Sequence, residues 1–287
     1  MKTAEPDKYS SQRNYGIAAL REAIRSRDFT IIDILCGAVN IDAIEPSTKE
    51  FFGREAPLSP LGEAIILGDV AIVKLLLKRG ASPNAYVSFD GLKMLESITS
   101  HIQRVTPLLA AIDMQSLPLV ELLLEHGAEV NYKRNMGVFR TPLQRAAEMG
   151  CFDVVQYLIK KGATIDTIPI HSGGTALQLA ALNGFCGIAA FLLEQGADPN
   201  HPPAKSNGRT AFEAATEWGH IDTMSLLVQC GVVLHLQFGN PLQSQYERAW
   251  WFAEKNGFMA SKRFAEHLYR QVLEGHYWDN SLALDPI

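Results

Sequence analysis

Residues 141–166 read TPLQRAAEMGCFDVVQYLIKKGATID, and the way this stretch divides into two short helices decides the fold. Thr141 is placed to cap the first helix by accepting a hydrogen bond from a backbone N–H, and Pro142 follows where no helical donor is lost. Leu143, Ala146 and Ala147 recur at helical spacing, and the two alanines let neighbouring helices approach closely. Gly150 then breaks the chain. A second helix carries Val154, Val155, Leu158 and Ile159 as one apolar stripe. Lys160 and Lys161 complement the negative end of its dipole, and Gly162 supplies the left-handed cap that ends it. ATID then leads away as an extended excursion.

The same grammar occurs five times. In Ser59 to Gly80, Thr106 to Gly127, Thr141 to Gly162, Thr175 to Gly196 and Thr210 to Gly231 the Gly follows the Ser or Thr by 21 residues, and the starts lie 47, 35, 34 and 35 residues apart. A period in this range is the mark of a solenoid, in which each unit buries its apolar face only against its neighbours. Such a fold has no closed pocket by default, so the expectation moves from catalysis to an elongated binding surface.

The units SPLGEAIILGDVAIVKLLLKRGASPN, TPLLAAIDMQSLPLVELLLEHGAEVN, TALQLAALNGFCGIAAFLLEQGADPN and TAFEAATEWGHIDTMSLLVQCGVVLH stand beside the one quoted above. They resemble ankyrin repeats, whose signature TPLHxA…G…LL…GAxxN is visible across residues 59–235. The resemblance implies an all-α ankyrin-repeat solenoid of stacked helix-turn-helix pairs with N- and C-terminal capping repeats. Upstream, LREAIRSRDFTIIDILCGAVNIDA aligns through Leu20, Ala23, Asp28, Ile31, Ile32 and Leu35 and reads as a degenerate cap. Downstream, SQYERAWWFAEKNGF and MASKRFAEHLYRQVLEG read as a longer, more polar closing pair. The expected organisation is a polar tail over 1–16, the N-terminal cap and a long linker over 17–58, five repeats over 59–235, and capping helices with a tail over 236–287.

Departures from the signature are informative. The histidine of TPLH is replaced by Gly62, Leu109, Gln144, Gln178 and Glu213, of which only the glutamines offer a similar donor. Two connections are long. Residues 43–58 exceed the usual link by about nine residues and 86–105 by about a dozen, and long loops in compact folds are functional or disordered. Leu92, Leu95, Ile98 and Ile102 suggest an extra helix in the second.

In ankyrin-like stacks the two positions near the end of each first helix line a concave groove. The resemblance places Ile66 and Leu67, Asp113 and Met114, Glu148 and Met149, Leu182 and Asn183, and Glu217 and Trp218 there. One column therefore reads Leu67, Met114, Met149, Asn183, Trp218, which is apolar for positions facing water and marks a candidate partner-binding stripe with Arg145 beside it. Bent packing or the 86–105 insertion covering part of the stripe is the alternative. A second candidate is the basic finger set Lys133, Arg134 and Arg140, with Lys205 and Arg209 two repeats on, facing an acidic partner or simply solvated.

Composition bounds the rest. The chain has 287 residues and a formal charge of −5, which disfavours a nucleic-acid partner. No apolar run approaches the roughly 18 residues of a membrane span. MKTAEPDKYSSQRNYG has no signal-peptide core, so the cytoplasm or the nucleus is expected. Cys36, Cys151, Cys186 and Cys230 are scattered and read as buried free thiols. GxSxG, GxxxxGK[ST] and HExxH are missing, so no catalytic residue, metal or cofactor is expected. His126 and His220 have structural positions, whereas His171 and His201 lie in loops. Trp250, Trp251 and Phe252 with Trp278 could wall a small-molecule site or close a cap. The reading is a non-catalytic scaffold or adaptor with a protein partner. The alternative is an enzyme or small-molecule-binding protein with its site in the groove beneath the 86–105 insertion.

Overall fold

Capping and glycine placement cut the five central pairs into helices of seven and nine residues. The computed structural model describes residues 8–44, 58–87, 105–132, 140–167, 173–205, 208–239 and 242–274. Among these residues are fourteen helices forming seven consecutive pairs. The chain divides into two compact units, Met1–Pro142 and Leu143–Ile287.

The first unit holds α1 (Lys8–Arg25), α2 (Phe29–Cys36), α3 (Pro60–Ile66), α4 (Val70–Lys78), α5 (Pro107–Asp113) and α6 (Leu117–Glu125). Helix α1 reaches back to Lys8, into the stretch expected as a tail. Ser59 and Thr106 cap α3 and α5 by accepting from Gly62 N and Leu109 N, with proline next in each case. Helix α1 packs on α3 and α3 on α5, while α2 packs on α4 and α4 on α6. Leu20, Ile24, Leu61, Ile65, Ile72 and Leu76 are buried between these layers.

Besides the exposed pairs Arg27–Asp69 and Arg79–Asp33, a buried polar contact fastens the first pair to the next. The buried carboxylate of Glu63 accepts from Arg21 Nη2 at 2.8 Å and Arg25 Nε at 2.8 Å. Burial alone would raise its pKa, but the hydrogen bonds and charges of Arg25 and Arg21 outweigh burial and hold it below the ordinary carboxylate value. Its stabilisation is therefore complete above the unfolded carboxylate range near pH ~4.3 and is lost as pH falls through the lower folded value. Wild type is expected to lose melting temperature more steeply below that range than Glu63→Gln, and parallel pH profiles would refute the role.

The base of the 86–105 insertion is closed by backbone hydrogen bonds. Val87 N donates to Val105 O at 2.9 Å, and Ser59 N donates to Val87 O at 2.9 Å. A Cβ at Gly62 would lie 2.9 Å from that same carbonyl oxygen, which explains why glycine stands in the signature-histidine position of this repeat. The expected helix within the insertion lies outside the described residues, as do positions 45–57 of the earlier linker.

The second unit holds α7 (Pro142–Glu148), α8 (Phe152–Lys160), α9 (Ala176–Leu182), α10 (Cys186–Glu194), α11 (Ala211–Glu217), α12 (Ile221–Gln229), α13 (Gln245–Lys255) and α14 (Met259–Leu273). Strands β1 (Gln237–Phe238) and β2 (Gln243–Ser244) form a small antiparallel ladder before α13, pairing Gln237 with Ser244 and Phe238 with Gln243. Helix α9 packs on α11 and α11 on α13, while α8, α10, α12 and α14 follow one another in a second layer. Val154, Val155 and Leu158 are buried, whereas Ile159 is only half-buried.

The signature-histidine positions are filled by three different solutions. Gln144 Nε2 donates to Thr167 O at 3.1 Å, and Gln178 Nε2 donates to His201 O at 2.9 Å and Pro202 O at 3.1 Å. Gln178 also closes a capping box with Thr175. Glu213, which sequence reasoning set aside, also closes a capping box, with Thr210, and is clasped by Arg248 Nε at 2.7 Å. An acid works there because the closing pair supplies its cation.

Two glycine classes end up under different constraints. Gly162 and Gly196 have φ of +86° and +91° with open space where a Cβ would stand. Gly184 has φ +71°, and a Cβ would meet His220 Nδ1 at 2.5 Å. The rings of Phe185 and Phe258 lie likewise against Gly150 and Gly219. Gly162→Val is expected to cost about 1–2 kcal/mol for the left-handed backbone. Gly184→Ala adds the ring clash and should cost about 2–4 kcal/mol. Denaturant titration checks the order, and equal costs would show that the ring moves aside freely.

Asn84, Asp166 and Asn200, each at the end of an excursion, hook onto the following repeat. Asn84 donates through Nδ2 to Gly127 O at 2.9 Å and accepts from Glu129 N at 2.8 Å. Asn200 does the same with Gly231 O at 2.9 Å and Val233 N at 2.8 Å. Asp166 occupies the same place, and its Oδ2 accepts from Asp198 N at 2.9 Å. Among the described residues its buried Oδ1 has no hydrogen-bond partner. Asp166→Asn supplies the missing donor and is expected to stabilise by about 1–2 kcal/mol, read as a higher urea midpoint. An unchanged or lower midpoint would contradict it.

Candidate functional site

The column of side chains singled out in the sequence falls where the first helix of each repeat ends. In the first unit Leu67 and Met114 are the C-cap residues of α3 and α5, so their side chains leave the helix just past its buried face. They are 39% and 40% exposed, while Ile65 and Ile112 two residues earlier are fully buried. In the second unit Asn183 and Trp218 are the corresponding caps of α9 and α11. Trp218 is 48% exposed and has Phe258 beside it, with ring centroids 6.2 Å apart. Asn183 is exposed and donates to Leu179 O at 2.9 Å; Met149 is half-buried.

The charges near this column are largely matched within the protein. Arg145 Nη1 donates to Glu148 Oε2 at 3.0 Å, and both side chains are mostly covered. Arg209 Nε donates to Glu217 Oε2 at 2.6 Å, and its guanidinium lies 3.5 Å over the ring of Phe252. Asn256 Nδ2 also donates to Glu217. The acids expected as open groove charges are thus held by arginines, and Arg209 belongs to the packing of the closing pair. Of the finger set, Arg140 is half-buried and Lys205 exposed. Lys133, Arg134 and His171 lie outside the described residues.

Of the histidines singled out in the sequence, His126, His220 and His201 have structural surroundings. His126 Nδ1 lies 2.8 Å from Leu122 O at the end of α6, and His220 Nε2 lies 3.1 Å from Leu182 O. The carbonyl of His201 accepts the Gln178 amide. The four cysteines are free; Cys36 is buried, Cys151 and Cys186 are half-buried and Cys230 is exposed, so uniform burial was the wrong expectation. Burial and the nearby Asp33 push the Cys36 thiol up, against the effect of Arg79, which leaves it poorly nucleophilic. Among the described residues no group of three or more His, Cys, Asp or Glu is placed to hold a metal ion. No described helix is long and apolar enough to cross a membrane.

The aromatic cluster of the closing pair splits. Phe252 is buried beneath Arg209, and Trp250 Nε1 donates to Glu266 Oε1 at 2.8 Å with Lys262 Nζ 3.5 Å from its ring. Trp251 faces outward at 49% exposure, with Lys255 Nζ 4.8 Å from its ring. Three consecutive aromatics on a helix cannot all point inward at ~100° per residue, which is the signal that one of them faces solvent. Trp278 lies outside the described residues.

Comparison with known proteins agrees with this architecture. The family model described as "Ankyrin repeats (3 copies)" matches residues 87–169 and 165–237, and that described as "Ankyrin repeat" matches 58–86. The chain belongs to the ankyrin-repeat family, and its repeats make it a protein–protein interaction domain. It is 31% identical over 210 residues to the Ankyrin repeat and KH domain-containing protein mask-1 of Caenorhabditis elegans, covering 68% of this chain and 8% of that protein. It is 32% identical over 142 residues to the Probable E3 ubiquitin-protein ligase XBOS32 of Oryza sativa subsp. japonica, covering 50% of this chain and 26% of the other. The chain thus spans only a small part of these relatives. The human ASB11 ankyrin repeat domain superposes with a TM-score of 0.63 at 23% identity, covering 87% of this chain and 96% of that one, a likeness of fold. The fold is typically non-catalytic.

Proposed function

We propose that the chain is a non-catalytic scaffold or adaptor that holds a protein partner against the C-cap column and the finger loops, working without cofactor in the cytoplasm or nucleus. The observation that carries this reading is the exposure of Trp218 at a position where its own helix is otherwise buried from Ala211 to Glu217. A large aromatic left half in water, with a second ring at its edge, gains most from desolvation by a partner. Leu67 and Met114 repeat the same exposure in the first unit. Carboxylates held by Arg145 and Arg209 leave that surface little net charge, so contact there is governed by shape and apolar area.

The test is a pull-down with the wild-type chain and with Trp218→Glu as parallel baits. A protein captured by wild type and lost by the variant, at unchanged helicity, supports the reading. Retention of every captured protein by the variant overturns it.

A further inference from the structure

Helix α14 closes the second unit and presents two unlike faces. Its inner side buries Ser261, Lys262, Ala265 and Leu268, and Ser261 Oγ roots it by donating to Thr216 O at 2.8 Å. Its outer side exposes Met259, Arg263, His267, Arg270 and Leu273, which recur at i, i+4, i+8, i+11 and i+14 and so share one stripe. The stripe runs about 20 Å at 1.5 Å per residue. Tyr269 flanks it, stacked on Tyr246 with ring centroids 4.2 Å apart.

Most of the neighbouring carboxylates are turned to other work. Glu213 and Glu217 of α11 pair with Arg248 and Arg209. On α13, Glu254 pairs with Lys262, and Glu247 accepts from Ser244 N. Glu266 of α14 accepts from Trp250 Nε1. Helix α12 contributes one carboxylate, Asp222, in its first turn. Among the described residues, none of Arg263, His267 and Arg270 has an ion-pair partner. In a chain with a formal charge of −5, the last described helix thus carries a basic stripe with no ion-pair partner among the described residues, with exposed apolar side chains at both ends and Glu274 following it at the C-cap.

We infer that the outer face of α14 is a second docking surface, separate from the C-cap column, for an acidic amphipathic segment of a protein partner. Carboxylates at helical spacing meet the two guanidiniums, and apolar residues one turn beyond meet Met259 and Leu273. Nucleic acid fits less well, because a duplex presents a charge about every 1.7 Å and needs a broad basic field that two guanidiniums and an imidazole do not supply. Exposed cations of this kind act mainly on association rate and salt dependence.

The probe is a fluorescein-labelled peptide of glutamate and leucine in helical register, titrated into the full chain. Its controls are the lysine-for-glutamate peptide and a duplex oligonucleotide. Expected is binding of the glutamate peptide that weakens as salt rises and falls about tenfold in Arg263→Gln/Arg270→Gln, with an unchanged melting curve. Arg263→Lys/Arg270→Lys should retain binding, and Trp218→Ala should leave it unaltered, which separates this surface from the column. Lack of binding at low ionic strength overturns the inference. So does equal affinity for the Gln double variant, or tighter binding of the duplex.

Discussion

Arg248→Met is expected to destabilise the chain by about 3 kcal/mol or more, among the largest single losses outside the apolar core. Glu213, whose side chain is fully buried, accepts from Arg248 Nε at 2.7 Å and Nη2 at 3.2 Å. Removing one partner of a buried pair leaves an uncompensated charge, which is far costlier than losing the pair's net contribution. The backbone N–H of Thr210 also donates to this carboxylate in the capping box, and this softens the loss. The double variant Glu213→Gln/Arg248→Met should therefore recover a good part of the stability, because a neutral amide keeps the cap without the charge. Urea titrations of the two singles and the double form a cycle. Simple additivity of the single losses would show that the pair is not coupled and that Arg248 acts by packing alone.

That pair also marks where sequence reading stops. The five central helix pairs were legible because each depends on signals close in sequence: a Ser or Thr cap, in three of them a proline after it, and a glycine 21 residues on. Gly162 and Gly196 adopt the positive φ expected of them for the same local reason. Glu213 and Arg248 stand 35 residues apart, so nothing local announces that an acid in the histidine position has a guanidinium waiting. The rings lying on Gly150, Gly184 and Gly219 belong to the following repeat in each case, again a contact between units. Gly62 is intelligible only once Val87 is seen crossing it.

The candidate column was partly legible. Which positions end the first helices follows from the repeat register, and Trp218, Leu67 and Met114 are exposed there. What the register does not reveal is charge matching. Arg145, Glu148, Arg209 and Glu217 look like surface charges in the sequence, yet they neutralise one another in pairs. Likewise the order of Trp250, Trp251 and Phe252 says that one ring faces solvent, and only the packing against Arg209 and Glu266 decides which.

Trp218→Ala is expected to separate binding from folding. Trp218 lies past the end of α11, and its neighbouring ring is Phe258 at 6.2 Å, so truncation should lower stability by about 1 kcal/mol or less. If the column holds the partner, the same change should weaken that complex by about 2 kcal/mol or more, roughly thirtyfold in Kd, because a desolvated aromatic anchor carries a disproportionate share of binding energy. Leu158 provides the contrast. It is fully buried between the helices of the second unit, and Leu158→Ala should destabilise by about 2–5 kcal/mol while changing affinity only through the unfolded fraction. Calorimetric titration of a captured partner against both variants, each at a temperature well below its own melting point, distinguishes the two cases. A Trp218→Ala chain that binds as tightly as wild type would remove the column from the interface and leave the fingers and α14 as the surfaces to test.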